Sequence, residues 1–288
     1  MPVLDFVIFC IIINRIEQNS TNLSTKRTAR DARIVDLILE RGQCAVEELA
    51  RELDVSDMTI RRDLDRLAER GEVVRTHGGA SPGNHVSFEF QFLRRSQENA
   101  AAKRLIGATA ASMISDGQSV LLDSGSTTLA IARELLHRNR LTVITTSLPI
   151  ASVLQRAPRV DTLLLGGFVR RDSPDLEGPL TEANLDYLRA DIAFLGADGI
   201  DEQGNVYNAS LNLARMLSKM VTSAARVYVV ADESKLGRRA LASFGNVTQW
   251  GGLITNAASD SPIIKQLTTV GTKIIFAGEK PAKHKEAI

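Results

Sequence analysis

The sequence predicts an α/β chain in two parts, a small helical head with a β wing followed by a larger domain built on a parallel sheet. Three observations predict it. Residues 55–64, VSDMTIRRDL, open an amphipathic helix with an arginine pair in its first two turns. Shorter helical patterns precede this segment, and an alternating stretch ending in a double glycine follows it. Beyond residue 115, nearly continuous apolar β-rich runs alternate with helical stretches, the signature of a parallel sheet covered on both faces.

The head is justified element by element. From 28 to 40, apolar residues at Ala29, Ile34, Val35, Leu37, Ile38 and Leu39 predict a first helix, ended by Gly42. VEELAREL over 46–53 predicts a second, although Ala45 stands where a Ser or Thr would cap it, a loss of about 1 kcal/mol. Asp54-Val55-Ser56 has the length of the turn that joins the two helices of a helix-turn-helix. Ser56 is a favoured N-cap and Asp57 puts a carboxylate at the positive end of the third helix. Ile60, Leu64 and Leu67 form its apolar stripe, with Met58, Arg62, Asp65 and Glu69 opposite and Arg61 on the flank. Glu72 to Gly79 reads as a small wing carrying Arg75 and His77. Three helices and a wing make a winged helix-turn-helix, and an arginine pair early in its third helix suits the DNA major groove. Ser56, Met58, Thr59, Arg61, Arg62, Arg66, Arg75 and His77 are the expected DNA contacts.

Composition bounds the reading. The 288 residues, 44% hydrophobic and 24% charged, are those of an ordinary globular protein with room for two domains. The net charge is only +1, and between Lys26 and Ala80 eleven Lys/Arg face twelve Asp/Glu. Counterion release usually dominates DNA affinity, so a neutral head implies modest affinity per copy and reliance on a homo-oligomer, a dimer or tetramer. Cys10 and Cys44 form no disulfide framework or metal-ligand spacing, so a reducing cytoplasm, no metal and no cofactor are expected. The apolar stretch from Val3 to Ile13 lacks a basic flank, a cleavage site and a membrane-spanning length. Residues 1–25 are therefore expected to be a disordered extension or a start assigned too far upstream, not a membrane anchor. The head is assigned to 26–80, a linker to 81–97, the larger domain to 98–278 and a tail to 279–288.

In the larger domain a helix is predicted from Gln97 to Ile114, and strands over 119–123, 141–145, 162–165, 192–197, 227–231, 252–255 and 273–277. Parallel sheets bind ligands beyond the carboxyl ends of their strands, so those loops carry the candidate chemistry. Asp123-Ser-Gly-Ser-Thr-Thr128 joins the first strand to a helix over 129–136. Gly125 permits the sharp turn, and Ser124, Ser126, Thr127 and Thr128 set hydroxyls beside a helix start, a cradle suited to phosphate. The other reading is an ordinary helix start capped by Ser126 or Asp123. The loop has no P-loop or dinucleotide pattern. Thr145 and Ser147 follow the second strand, Gly167 the third, Asp198, Gly199 and Asp201 the fourth, and Lys235 the fifth. Together they fit a phosphorylated sugar or polyol, with its hydroxyls on Asp123 or Asp198.

VSDMTIRRDL with RTHGGA, then LDSGSTT, LGADGID and ADESKLG, resembles the DeoR family of bacterial transcriptional regulators over about residues 27–278. The resemblance implies a winged helix-turn-helix and a sensor domain related to ribose-phosphate isomerases. It also implies repression of a sugar or polyol catabolic operon, with release from operator DNA when a phosphorylated intermediate binds. Asp123, Gly125, Ser126, Thr127 and Thr128 match the family's phosphate loop, and Asp198, Gly199 and Lys235 match its later pocket motifs. Two departures leave the effector's identity open: Thr146 where the family often has Asn, and Leu213 where it often has Glu. The rival function is an active sugar-phosphate isomerase carrying a DNA-binding head. Such chemistry needs a base beside the substrate carbon, yet no carboxylate occurs from Gln203 to Ala231, so no catalytic residue is expected.

Overall fold

The computed structural model describes residues 22–83, 88–170 and 173–278, and the chain divides into two compact units, Met1–Gln91 and Phe92–Ile288. In the first unit the elements run α1 (Asn22–Arg41), β1 (Cys44–Ala45), α2 (Val46–Glu52), α3 (Asp57–Glu69), β2 (Val73–Thr76) and β3 (Gly79–Pro82). Ile34, Leu37 and Ile38 of α1, Leu49 of α2, and Ile60, Leu64 and Leu67 of α3 are fully buried against one another. The 3.6-residue apolar period of each helix thus closes one core. Cys44 is part of it, as a small hydrophobe.

Two boundaries differ from expectation. The first helix begins at Asn22, so 22–25 are helical where disorder was one expectation; residues 1–21 and the tail after 278 lie outside the described residues. The wing is a three-stranded antiparallel sheet in the order β1-β3-β2, with Cys44 opposite Ala80 and Ala45 opposite Gly79. A Cβ at Gly79 would stand 2.1 Å from the Cys44 carbonyl oxygen, so glycine is required there. The two-residue strand before α2 was too short to leave a periodic signal. Its second residue, Ala45, is the N-cap of α2 without a side-chain bond, and the Glu48 carboxylate accepts from the Ala45 N–H instead at 3.2 Å.

An ion-pair network fastens α1 to α3. The buried Asp63 accepts from Arg30 Nε at 2.6 Å and from Arg66 at 2.7 Å; Asp31 binds Arg66 and Arg70, and Arg70 reaches Glu72.

Across the boundary between the units, α4 (Phe88–Gln97) is helical where a linker was expected, and in the second unit the helix foreseen from Gln97 is α5 (Ala100–Ser112). Phe92 explains the first change, being 4% exposed in the larger core. Asn99, left-handed at φ 52°, separates the helices. There follow β4 (Ser119–Leu122), α6 (Ser126–Glu134), β5 (Leu141–Thr145), α7 (Leu148–Leu154), β6 (Val160–Leu164), β7 (Phe168–Val169), β8 (Leu176–Glu177) and α8 (Pro179–Asp186). The chain continues as β9 (Ile192–Gly196), β10 (Gly199–Ile200), β11 (Asn205–Asn208), α9 (Leu211–Thr222), β12 (Val227–Val230), β13 (Ala242–Asn246), β14 (Gly252–Thr255), α10 (Pro262–Thr269) and β15 (Ile274–Phe276).

Seven strands form one sheet in the order β15-β14-β12-β9-β4-β5-β6, every neighbouring pair parallel. Successive residues serve opposite faces. Leu121, Leu195, Val229 and Leu253 pack with Met216 and Leu217 of α9, while Val120, Leu122, Phe194 and Val230 pack with Ile106 of α5 and Ile131 of α6. Burial on both faces is why these strands read as unbroken apolar runs. The chain moves outward from β4 through β5 to β6, then returns to β9 on the other side of β4. That reversal opens the crevice where ligands bind in such sheets. Two antiparallel additions were not foreseen, the ladder β7-β8 and the sheet β10-β11-β13.

Candidate DNA-binding face and effector site

At the start of α3 the Ser56 side chain accepts from the Thr59 N–H at 3.3 Å and meets the Thr59 hydroxyl at 2.9 Å. Both polar groups thus help set the helix entry. Met58, Arg61 and Arg62 are exposed on one side of the helix, and His77 is exposed at the wing turn beside Gly78. Arg75 is drawn inward by Asp65 at 3.0 Å and donates to the Gly79 carbonyl. Arg66 departs from the expected set. Its guanidinium lies in the Asp31–Asp63 network, and although burial opposes the charge, the hydrogen bonds it donates to those carboxylates raise its pKa.

The pairing separates the arginines of this unit into two classes. Among the described side chains, Arg30, Arg33, Arg41, Arg66, Arg70 and Arg75 have carboxylate partners, whereas Arg51, Arg61 and Arg62 have none. Arg51, in the last turn of α2, carried no motif that would mark it in the sequence. Only its freedom from ion pairing distinguishes it.

At the carboxyl edge of the large sheet, Asp123 follows β4 at the point where the strand order reverses. It is 5% exposed. One carboxylate oxygen accepts from the Gly125 N–H at 2.9 Å and the Thr128 hydroxyl at 2.7 Å; the other accepts from the Gly196 N–H at 2.7 Å, across the reversal. Burial pushes its pKa up against these bonds. Asp123 therefore clamps the loop to β9. Gly125 is the N-cap of α6, with no side-chain cap bond, and Ser126 and Thr127 occupy its first turn without an internal hydrogen bond among the described contacts. The Ser124 hydroxyl donates to Asp175 at 2.6 Å.

Other predicted residues hold backbone in place. Thr145 accepts from the Ser147 N–H, and Ser147 caps α7 by accepting from Ile150. A Cβ at Gly167 would meet the Thr181 hydroxyl at 2.0 Å, and one at Gly199 the Arg238 carbonyl at 2.6 Å, so both are close-packing glycines. Asp201 is held by Asn205, Tyr207, the Gln203 N–H and Arg239 at 3.2 Å. Burial raises its pKa, but those hydrogen bonds outweigh it and bring the carboxyl below the usual range. Asp198 is half-buried, with one oxygen on the Ala209 N–H. Lys235 is half-buried in the short helix after β12, with no carboxylate within ion-pair distance among the described residues.

Sequence reasoning missed two residues at this edge. Asp175, in the segment between β7 and β8, is fully buried. Lys103 of α5 is also buried, its ammonium donating to the carbonyls of Arg95 and Glu98 at the end of α4, and burial lowers its pKa. Beside it Asn99 donates to Asp232 at 3.0 Å, so the break between α4 and α5 is tied to the loop that carries Lys235.

Comparison with known proteins follows the same division. Residues 30–84 match the DeoR-like helix-turn-helix domain and residues 98–257 the DeoR C terminal sensor domain. The chain belongs to the DeoR family. The HTH-type transcriptional regulator GlpR of Haloferax volcanii is 33% identical over 85% of this chain and 96% of its own length. The Glycerol-3-phosphate regulon repressor of Escherichia coli is 32% identical over 84% of this chain and 96% of its own. Among solved structures, ribose 5-phosphate isomerase A of Methanocaldococcus jannaschii overlaps 48% of this chain and 55% of its own at 24% identity, with a TM-score of 0.36. For a DeoR-family chain, the unpaired arginines fall in the helix-turn-helix match, and the Asp123 loop, Asp198 and Lys235 fall in the sensor match. No helix among the described residues is long and apolar enough to cross a membrane.

Proposed function

We propose that this chain is a cytoplasmic transcriptional repressor of a sugar or polyol catabolic operon, acting as a homo-oligomer, and that a phosphorylated sugar or polyol in the second unit releases it from operator DNA. One observation carries the reading. In a helix-turn-helix unit that pairs six of its described arginines with carboxylates, Arg61 and Arg62 stand exposed and unpaired at the start of α3. An unpaired guanidinium at that position is ready to bond guanine O6 and N7 or a phosphate. Arg51 is assigned to a phosphate contact. The effector's phosphate is assigned to Ser126 and Thr127 at the α6 N-terminus, where the helix dipole and free N–H groups favour an anion, with Lys235 completing its charge balance.

The isomerase alternative is disfavoured by how the carboxylates are held. Of the two carboxylates that could serve as its base, Asp201 is already engaged by several internal donors and Asp198 has one oxygen on the Ala209 N–H. The residues from Gln203 to Ala231 supply no other carboxylate.

Two measurements test the proposal. Arg62→Ala should lose about 1–3 kcal/mol of operator affinity in a gel-shift titration, whereas Arg66→Ala should act through stability. Normal operator binding by Arg62→Ala would place the recognition face elsewhere. Incubation of the purified protein with pentose and hexose phosphates should raise its melting temperature without converting the ligand. Turnover would instead establish the isomerase.

A further inference from the structure

Residues 174–176, leading into β8, lie across the carboxyl end of β5. The Leu148 N–H donates to the Pro174 carbonyl at 3.0 Å and the Leu176 N–H to the Thr146 carbonyl at 2.9 Å, with Ser147 and Asp175 paired as an antiparallel bridge. This crossing sets Asp175 against the first loop, where one of its oxygens accepts from Ser124 at 2.6 Å and lies 3.5 Å from Arg170. The other oxygen, Oδ1, has no partner although the side chain is fully buried. Thr146, whose backbone pairs with the same segment, also has a buried hydroxyl without a partner. Buried polar atoms are nearly always hydrogen-bonded, and each exception calls for an explanation.

We propose that Asp175 and Thr146 form the hydroxyl-recognition subsite of the effector, selecting a phosphate ester that carries a hydroxyl close to its phosphate over a bare phosphate. This rests on the reading of the Ser126–Thr127 helix start as the phosphate cradle. Asp175 Oδ1 is an acceptor only, so the group it takes must be a donor, and a sugar or polyol hydroxyl is a neutral one. Thr146 both donates and accepts, which suits the second lone pair or proton of the same or an adjacent hydroxyl. Inorganic phosphate and a plain alkyl ester fill the cradle but bring no carbon-borne hydroxyl to Oδ1, which they leave without a partner. Arg170 lies 3.5 Å from the other oxygen of Asp175, and Oδ1 is left for the ligand. A site built to bond a hydroxyl rejects the analogue lacking it far more strongly than a cavity rejects a change of size.

The test compares glycerol 3-phosphate, ribose 5-phosphate and fructose 6-phosphate with propyl phosphate and inorganic phosphate, by calorimetric titration of the full chain. The best hydroxylated ester should bind wild type about 10–100-fold more tightly than propyl phosphate. Asp175→Asn should close most of that gap. Thr146→Val should narrow it by about 3–10-fold, while holding or raising the ligand-free melting temperature, since it removes a buried hydroxyl with no partner. This second variant decides the matter if Asp175→Asn disturbs the segment. Thr127→Ala should weaken all the phosphates alike. A gap unchanged in Thr146→Val and in folded Asp175→Asn overturns the subsite while leaving the phosphate cradle standing. Failure of every phosphate to bind wild type overturns the cradle, and the subsite with it.

Discussion

Asp63→Ala is expected to destabilise the first unit by about 3–5 kcal/mol, because it strands Arg30 and Arg66 beside a buried position with only Asp31 left to balance them. That loss is a large fraction of a small domain's total stability, so operator binding should fail although no DNA contact has been altered. Hydrogen exchange on the full chain should show the loss of protection confined to α1, α2 and α3, with the large sheet unaffected. Asp63→Asn keeps one acceptor and should fall between the two. The pH dependence has a definite sign. Burial pushes the Asp63 pKa up, but the hydrogen bonds from Arg30 and Arg66 outweigh it and hold the carboxyl below its ordinary value. A carboxyl depressed on folding contributes stability that is present above its unfolded pKa and lost as pH falls through the folded one. Wild type should therefore lose first-unit protection in acid, and the alanine variant should have little of this contribution left to lose. Equal protection of Asp63→Ala and wild type at neutral pH would show that the network is ornamental.

Much of this architecture was legible because it rests on signals that survive in one dimension. The large sheet buries both faces, so its strands are unbroken apolar runs and were placed within one or two residues. The helices of the head carry one apolar stripe each, and Ser56 announces the start of α3. What escaped notice lacked such a period. The strands β7, β8 and β10 are two residues long, and β11 and β13 carry polar and glycine-rich sequence, NVYN and ASFGN. The segment 88–97 was read as a linker, because nothing local shows that Phe92 enters the core of the larger unit.

The candidate site shows the same limit in sharper form. Sequence located the loops, since a glycine or hydroxyl run after a parallel strand has a stereochemical meaning. It did not separate side chains facing a ligand from those fixing the backbone. Thr128, Thr145 and Ser147 are hydrogen-bonded to their own loops, and Gly167 and Gly199 permit close packing. Among the described residues of the site, unengaged polar groups belong to Ser126, Thr127, Thr146, Lys235 and one oxygen of Asp198, together with Asp175 Oδ1, which no motif marked. For the arginines the same ambiguity ran the other way. Arg66 shares a helix with Arg62, and only the burial of Asp63 beneath it decides that one is structural while the other stands free. Both parts of the molecule therefore depend on long-range pairing that a linear pattern does not encode.

Replacing Asp123 is expected to be the most damaging single change in the second unit. Its two oxygens receive the Gly125 N–H, the Thr128 hydroxyl and the Gly196 N–H across the reversal of strand order. Alanine leaves both part-buried backbone donors without that acceptor, at about 1 kcal/mol each, and frees the loop that presents Ser126 and Thr127. Ligand binding should be lost with stability. Asparagine is no gentler, because its amide nitrogen must face a donor on one side or the other. The pH test separates charge from hydrogen bonding. Burial raises the Asp123 pKa above its unfolded value, so the native state keeps a proton that the unfolded chain has released, and this contribution to stability falls as pH rises from the unfolded pKa through the folded one. It is opposite in sign to that of Asp63. Urea denaturation of the second unit across this range, in wild type and Asp123→Asn, should show that decline in wild type and its absence in the variant. A variant as stable as wild type near neutral pH, still giving full melting-temperature shifts with phosphate esters, would mean that the reversal point is held by the strands alone and that the carboxylate does not set the geometry of the cradle.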